Sequence, residues 1–305
     1  MKNILIAGGS GMIGSRLLHF LKARDYNIGI LSRQERNDDQ DVQYFVWDIK
    51  DNHVEDKAIE WADGVINLAG AGVADARWTE ERKKIITNSR VEANKVLLQA
   101  FLKKDKKPQV YVSAGGMNYY GESGDQWMTE VDPKGDQGFL PESCEQWEAA
   151  VNNWRDSDIR TVQYRISIVL STKGGALPKL TMTMPIGLMP YFGNGKQWYS
   201  WIHIDDMCRL FIHALENKDM NSIYNAASPN PLTNKAFVRE LLDAAGKFGV
   251  TPPVPAFAMR LGLGDMAETV LTSVRLSVKK VAETGFKWDY PDLRLAYQHL
   301  VKNKI

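Results

Sequence analysis

The segment that most constrains this chain lies at its start. Residues 3–25, NILIAGGSGMIGSRLLHFLKARD, pass from an apolar run through closely spaced glycines into a stretch with Ile13, Leu17, Leu18 and Leu21 at helical spacing. An apolar strand, a glycine turn and an amphipathic helix, in that order, form the opening βα unit of a dinucleotide-binding fold. Gly8, Gly11 and Gly14 fit G-x-x-G-x-x-G, and Gly9, Gly11 and Gly14 fit G-x-G-x-x-G, so two registers stay open. In either, the glycines permit a tight turn and close approach of backbone to a pyrophosphate. The helix start adds free N–H groups and a partial positive charge. Gly8, Gly9, Ser10, Gly11, Met12, Ile13 and Gly14 are therefore the predicted phosphate-side contacts.

The alternation continues. NIGILSR, VQYFVWDI, GVINLAG, QVYVSAGG and RTVQYRISIVLS read as further strands, and WTEERKKIITNSRVEANKVLLQAFLKK and ESCEQWEAAVNNWRDS as helices. Strands of near-continuous Val, Ile and Leu between helices predict an α/β protein with a doubly wound parallel sheet of the Rossmann type. The pattern loosens after Ser171. Residues 1–170 are the predicted nucleotide domain and 171–305 a smaller, mostly helical substrate-binding unit, with 202–227 returning to the first domain. The proline cluster TPPVP near Thr251 reads as an internal linker.

The end of the second strand bears on the choice of cofactor. A fold that reads NAD usually places Asp or Glu there, about 20 residues past the glycines, on the ribose hydroxyls. Here the strand ends in Ser32 and Arg33, with no acid until Glu35. A carboxylate would repel a 2′-phosphate, whereas a guanidinium grips one. NADP(H) is therefore expected over NAD(H), the alternative being that Arg33 is a solvated surface arginine. Asp48, ending VWDI, is placed either on the adenine amino group or as a turn cap.

Lys plus Arg number 38 and Asp plus Glu 37, a balance that points away from nucleic-acid and membrane-surface partners and toward a small-molecule substrate. The longest uncharged run, LTMTMPIGLMPYFGNG, is interrupted by Pro185, Gly187 and Pro190, short of the ~20 residues a membrane helix needs. It reads instead as a Met-rich lid over a partly apolar ligand, or as an inter-subunit contact. Cys144 and Cys208 lie far apart without metal-ligand spacing, which fits a reducing, cytoplasmic setting for a monomer or homodimer.

These residues resemble the short-chain dehydrogenase/reductase superfamily, in its extended, sugar-nucleotide-epimerase-like branch. NLAGAGVADARWTEERKKIITNSRV, YYGESG, GKQWYSWIHIDD, YNAASPNPLTN and GFKWDYPDLRLAYQHL are similar to a subgroup of NADP-binding "epimerase family" proteins that end in a small helical domain of unknown function. The resemblance covers nearly the whole chain. It implies that Leu68, Ala69, Gly70, Arg90, Ser113 and Arg165 join the glycine loop around the cofactor; for Arg165 a buried salt bridge is the alternative.

In active members of the superfamily a Ser or Thr after the fifth strand polarises the substrate carbonyl. A Tyr in Tyr-x-x-x-Lys transfers the proton, its phenol tuned down from a pKa of about 10. Aligning on Gly121 and Glu148 places the serine on Gly115 or Gly116, the tyrosine near Leu140 and the lysine on Cys144. A position that is frequently Asn carries Arg90. The usual hydroxyls are thus expected to be missing, and Tyr119, Tyr120 and Ser113 are the provisional substitutes, with aromatic packing as the other reading of the tyrosines. Trp198, Trp201 and His203 are the expected substrate contacts. Asp205 and Asp206 are expected to cap a helix and not to hold a metal, and no metal is expected elsewhere. The resemblance implies an oxidoreductase or epimerase-like enzyme on a small carbonyl or hydroxyl compound. The alternative is a non-catalytic NADP(H)-binding sensor or interaction module.

Overall fold

The computed structural model of the chain describes residues 1–39, 41–136 and 138–305. Its frame is one eight-stranded sheet. In chain order the strands are β1 (Asn3–Ala7), β2 (Asn27–Ser32), β3 (Val42–Asp48), β4 (His53–Val54), β5 (Gly64–Asn67), β6 (Val110–Gly116), Thr161–Ile166 and Ile223–Ala226. Across the sheet, Ile223–Ala226 forms one edge, followed by Thr161–Ile166, β6, β5, β1, β2, β3 and β4. Every pairing is parallel except β3 with β4. The chain winds one way from β1 and the other way from β5, so the switch point lies between these two strands. Ligands of such sheets bind in the crevice beyond the strands' carboxyl ends at this point.

Side-chain alternation explains the layers. Ile4 and Ile6 of β1 face one core together with Leu17 and Leu21 of helix α1 (Met12–Lys22). Leu5 and Ala7 face the other, packed with Leu97 and Phe101 of a long helix (Glu80–Lys103) and Val151 and Trp154 of another (Phe139–Asp156). Both faces are covered, which is why these strands are apolar at nearly every position. Each fully buried Leu or Ile contributes roughly 1.5–3 kcal/mol.

Past Ser171 the chain is stitched by short pairings. Tyr191–Phe192 pairs with Pro253–Val254, Trp198–Tyr199 with Leu232–Thr233, and Arg275–Leu276 with Trp127–Met128. The proline cluster read as a linker is thus partly an edge strand, a position that tolerates proline because no ladder hydrogen bond is lost there. The first core continues from the sheet into Phe237, Leu241 and Leu300 of the helices Asn234–Ala244 and Leu293–Asn303.

The Met-rich run is not a free lid. Met184 and Met189 are buried, the Met189 N–H donates to the Val250 carbonyl, and the Tyr297 hydroxyl lies 3.3 Å from Met184 Sδ. Among the described residues no helix is long and apolar enough to cross a membrane.

Helix Ile204–Glu216 also departs from expectation. His203 Nδ1, and neither aspartate, caps it by accepting the Asp205 N–H at 2.9 Å. The aspartates tie elements together instead. Asp205 takes both arms of Arg16 from α1 at 2.6 and 2.8 Å, and Asp206 accepts the N–H groups of Asp289 and Tyr290.

Candidate functional site

The glycine loop bridges β1 and α1. Gly8 has φ +80°, and a Cβ there would lie 2.8 Å from the carbonyl carbon and oxygen of Leu68 at the end of β5. Gly8 therefore opens the working register, and its carbonyl accepts the Gly11 N–H at 3.1 Å. A Cβ on Gly14 would run into the Gly8 carbonyl oxygen and sit 2.7 Å from Gly9 Cα, so only glycine lets α1 approach this closely. No side chain caps the start of α1, and no acid occupies its first turn. Ser10 and Gly11 are exposed, and Met12 and Ile13 are half-buried. A backbone turn with a bare helix N-terminus fits a pyrophosphate.

Around this loop the structure gathers several predicted contacts. Arg33 is exposed just past β2, and Ser32 Oγ accepts the Gln34 N–H at 3.3 Å. Asp48 Oδ1 accepts the Lys50 N–H at 2.7 Å, so this carboxylate closes a turn. Leu68, Ala69 and Gly70 follow β5 beside Gly8, with Asn67 Oδ1 fixing the Ala69 N–H. Arg90 lies against Gly70, its Nη1 donating to the carbonyls of Ala71 and Ile86 and its guanidinium 4.9 Å over the Trp147 ring. Burial pushes the Arg90 pKa down.

The floor of the site contains the positions that the family likeness equates with Ser, Tyr and Lys. Gly116 and Cys144 are neighbours, a Cβ on the glycine falling 3.2 Å from the sulfur. Leu140 is buried one turn before Cys144 on the same helix. None of the three offers a hydroxyl or an amine. Burial, with Glu148 nearby, pushes the Cys144 thiol up to about 12, so it carries no thiolate at neutral pH.

Two of the provisional substitutes, Ser113 and Tyr120, have their hydroxyls taken up within the fold. Ser113 is sealed in the sheet and donates to the Ala114 carbonyl. The Tyr120 hydroxyl accepts from Arg165 at 2.8 Å and donates to Asn225 Oδ1 at 2.7 Å. Tyr120 is 2% exposed, and its desolvated phenol is raised well above its ordinary pKa. Arg165 is likewise buried, in a bidentate pair with Glu148 at 2.7 and 2.9 Å. That pair is the buried salt bridge that the sequence left open as the alternative for Arg165. Tyr119 is half-buried, with the Arg165 guanidinium 3.6 Å over its ring.

Two of the three expected substrate contacts are sealed within the fold. Trp201 and His203 have no exposed surface, and Trp201 Nε1 is spent on the Asn230 carbonyl. Trp198 and Trp127 instead sandwich Arg275, whose guanidinium lies 3.8 and 4.0 Å from their rings.

His203, Asp205 and His299 cluster closely enough to suggest a metal. Hydrogen bonding argues against one. His203 Nδ1 is an acceptor, so its neutral ring carries the proton on Nε2, which faces His299 Nδ1 at 3.2 Å. Both Asp205 oxygens are occupied by Arg16. Burial lowers the His203 pKa to about 4.

Beside Leu140 opens a cavity of about 440 Å³, lined in part by Asn118, Glu122, Pro141, Arg260, Asp265 and Glu268. The Glu122 oxygens are taken by the N–H groups of Gly124 and Ser273, and Asp265 is paired with Lys83. Burial and the neighbouring Asp265 raise the Glu268 pKa. Sequence reading missed these residues. Arg260 and Glu268 sit in a segment without any local motif, more than 100 residues from Leu140.

A doubly wound sheet with this loop at its switch point defines a Rossmann-type NAD(P)-binding protein. The NAD dependent epimerase/dehydratase family matches residues 4–227, and a domain of unknown function, DUF1731, matches residues 254–300. The chain belongs to the NAD dependent epimerase/dehydratase family. It is 34% identical over 302 residues to the epimerase family protein SH2119 of Staphylococcus haemolyticus, covering 99% of each. To the epimerase family protein SSP1921 of Staphylococcus saprophyticus it is 35% identical over 304 residues, covering 99% of this chain and all of that one. Among solved structures, the human epimerase family protein SDR39U1 with NADPH matches at a TM-score of 0.87 and 27% identity over 99% of both chains. A nucleoside-diphosphate sugar epimerase from Corynebacterium glutamicum matches at 0.79 and 26%, covering 98% of this chain and 58% of that one.

Proposed function

We propose that this chain is an NADP(H)-binding, short-chain dehydrogenase/reductase-like enzyme acting on a small carbonyl or hydroxyl compound in the cavity beside Leu140. The observation that carries the reading is the bare α1 N-terminus behind the Gly8–Gly14 turn, with exposed Arg33 and no carboxylate at the end of β2. The human relative with NADPH supports the same preference. When bound, the reduced nicotinamide supplies a hydride. The protein's part is to orient the substrate and move one proton, and the cavity offers Asn118 as a hydrogen-bonding amide and Glu268 as the acid. A carboxyl group with a raised pKa keeps its proton closer to neutral pH and can donate it to a carbonyl oxygen. This replaces Tyr120 and Ser113, whose hydroxyls are spent on buried partners.

Fluorescence titration of NADPH and NADH tests the cofactor assignment. Arg33→Ala should weaken NADPH binding while barely changing NADH, and equal losses would sink it. A second reading, an NADP(H)-binding sensor without turnover, is favoured by the wholly apolar trio Gly116, Leu140 and Cys144. Oxidation of bound NADPH by any member of a carbonyl panel would exclude that reading.

A further inference from the structure

We propose that Arg90 grips the ribose of the cofactor's nicotinamide half, bringing from helix Glu80–Lys103 the cation that position 144 lacks. The inference rests on the nucleotide-binding reading above. Arg90 is a half-buried guanidinium whose titratable neighbours are the neutral thiol of Cys144 and the cation of Arg82, with no carboxylate among them. A cation so placed costs several kcal/mol unless polar groups meet it.

Part of that demand is met within the fold. Nη1 donates to Ile86 and Ala71 at 2.8 and 3.0 Å, and the Trp147 face lies 4.9 Å from Cζ. Both of these hydrogen bonds use one nitrogen, while a guanidinium carries five N–H donors on three.

The guanidinium lies against the loop that follows β5. A Cβ added to Gly70 would sit 3.0 Å from Arg90 Cζ and 3.2 Å from Nε, so the absence of a side chain at Gly70 makes room for the guanidinium. Gly70 follows β5, across the switch point from β2 and β3, where the adenine half belongs. On its other side Arg90 approaches Cys144, itself against Gly116. The cation therefore stands between the loop after β5 and the apolar floor, on the nicotinamide side. The vicinal hydroxyls of a ribose are the acceptors that a partly desolvated, planar donor set can satisfy there.

The test separates the two halves of the cofactor. Arg90→Met keeps an unbranched stem against Trp147 and removes the donors. It should weaken NADPH binding roughly ten- to hundredfold and leave 2′,5′-ADP, which carries the adenosine half alone, unchanged. Arg90→Lys should recover part of the loss, and melting of the ligand-free proteins shows whether either variant is folded. If Arg90→Met is unfolded, Arg90→Lys carries the test, with a smaller loss on NADPH and none on 2′,5′-ADP. Equal losses on both ligands, or no loss on NADPH, would overturn the proposal. Failure of the unaltered chain to bind NADPH would overturn the nucleotide reading and this inference together. Binding that is indifferent to Arg90 would overturn only the latter.

Discussion

Replacing Glu148 with Ala should be among the most damaging single changes this fold can suffer, and it should leave the cofactor site nearly untouched. Glu148 is 6% exposed and Arg165 2%, and their two parallel hydrogen bonds measure 2.7 and 2.9 Å. The third arm of Arg165 meets the Tyr120 hydroxyl, which continues to Asn225. Asn225 is anchored in turn to the carbonyls of Met128 and Ser277. Removing the carboxylate leaves the guanidinium inside this network with the Tyr120 hydroxyl and the Glu130 carbonyl as its hydrogen-bond partners. Breaking a buried pair in this way costs about 3–5 kcal/mol. With unfolding entropy near 2.1 cal/mol/K per residue over 305 residues, that corresponds to a fall in Tm of roughly 5–8 °C.

Calorimetry of the variant, with NADPH titration at a temperature where it remains folded, is the assay. The expected pattern is a large fall in Tm with cofactor affinity within about twofold of the parent. An unchanged Tm would refute the structural assignment of Arg165. So would a large loss of NADPH affinity at unchanged stability, because Arg165 would then be serving the cofactor and not the sheet. Tyr120→Phe removes only one hydroxyl from the same chain and should cost about 1–3 kcal/mol.

Two further outcomes follow from the buried groups. His203, facing Arg16, Asp205, Tyr290 and His299, has its pKa lowered to about 4, whereas in the unfolded chain it titrates near ~6.5. Between these values the unfolded state binds more protons, so stability is fully present above the unfolded pKa and is lost as pH falls toward 4, by up to about 3 kcal/mol. Urea denaturation from pH 7 to 4 should therefore show a shallower decline in His203→Asn, which retains a capping side chain, and identical slopes would contradict the assignment. At the cavity, Glu268→Gln should lower turnover of a reducible carbonyl compound by roughly 10²–10⁴ with NADPH affinity unchanged, and undiminished turnover would remove Glu268 as the acid.

What could be read from the sequence divides along the range of the interactions. The glycine loop and most strands were legible because a strand, three glycines and a helix are consecutive, and because burial on both faces writes itself as unbroken apolar runs. The ambiguity between the two glycine registers was local too, but it needed a distant contact to resolve. Gly8 is held at positive φ by the turn and pressed against Leu68, 60 residues away. Residues read as functional from their chemistry alone fared differently. Tyr120 reads as an acid, and Arg165 as a cofactor contact or half of a salt bridge, until the fold joins Arg165 to Glu148 and to Tyr120 across separations of 17 and 45 residues. His203 took the capping role expected of Asp205 because the imidazole accepts the helix N–H, leaving the carboxylate free for Arg16 on α1. Conversely, Arg260 and Glu268 reach the cavity only through the C-terminal segment, and no spacing in their neighbourhood encodes that approach. A buried polar side chain satisfied by the fold and one presented to a ligand share the same letters. Only the partners on its remaining donors separate them, which is why Arg165, with its arms paired to Glu148 and Tyr120, belongs to the scaffold. Arg90, with only one nitrogen accounted for, is therefore the arginine we propose for the cofactor.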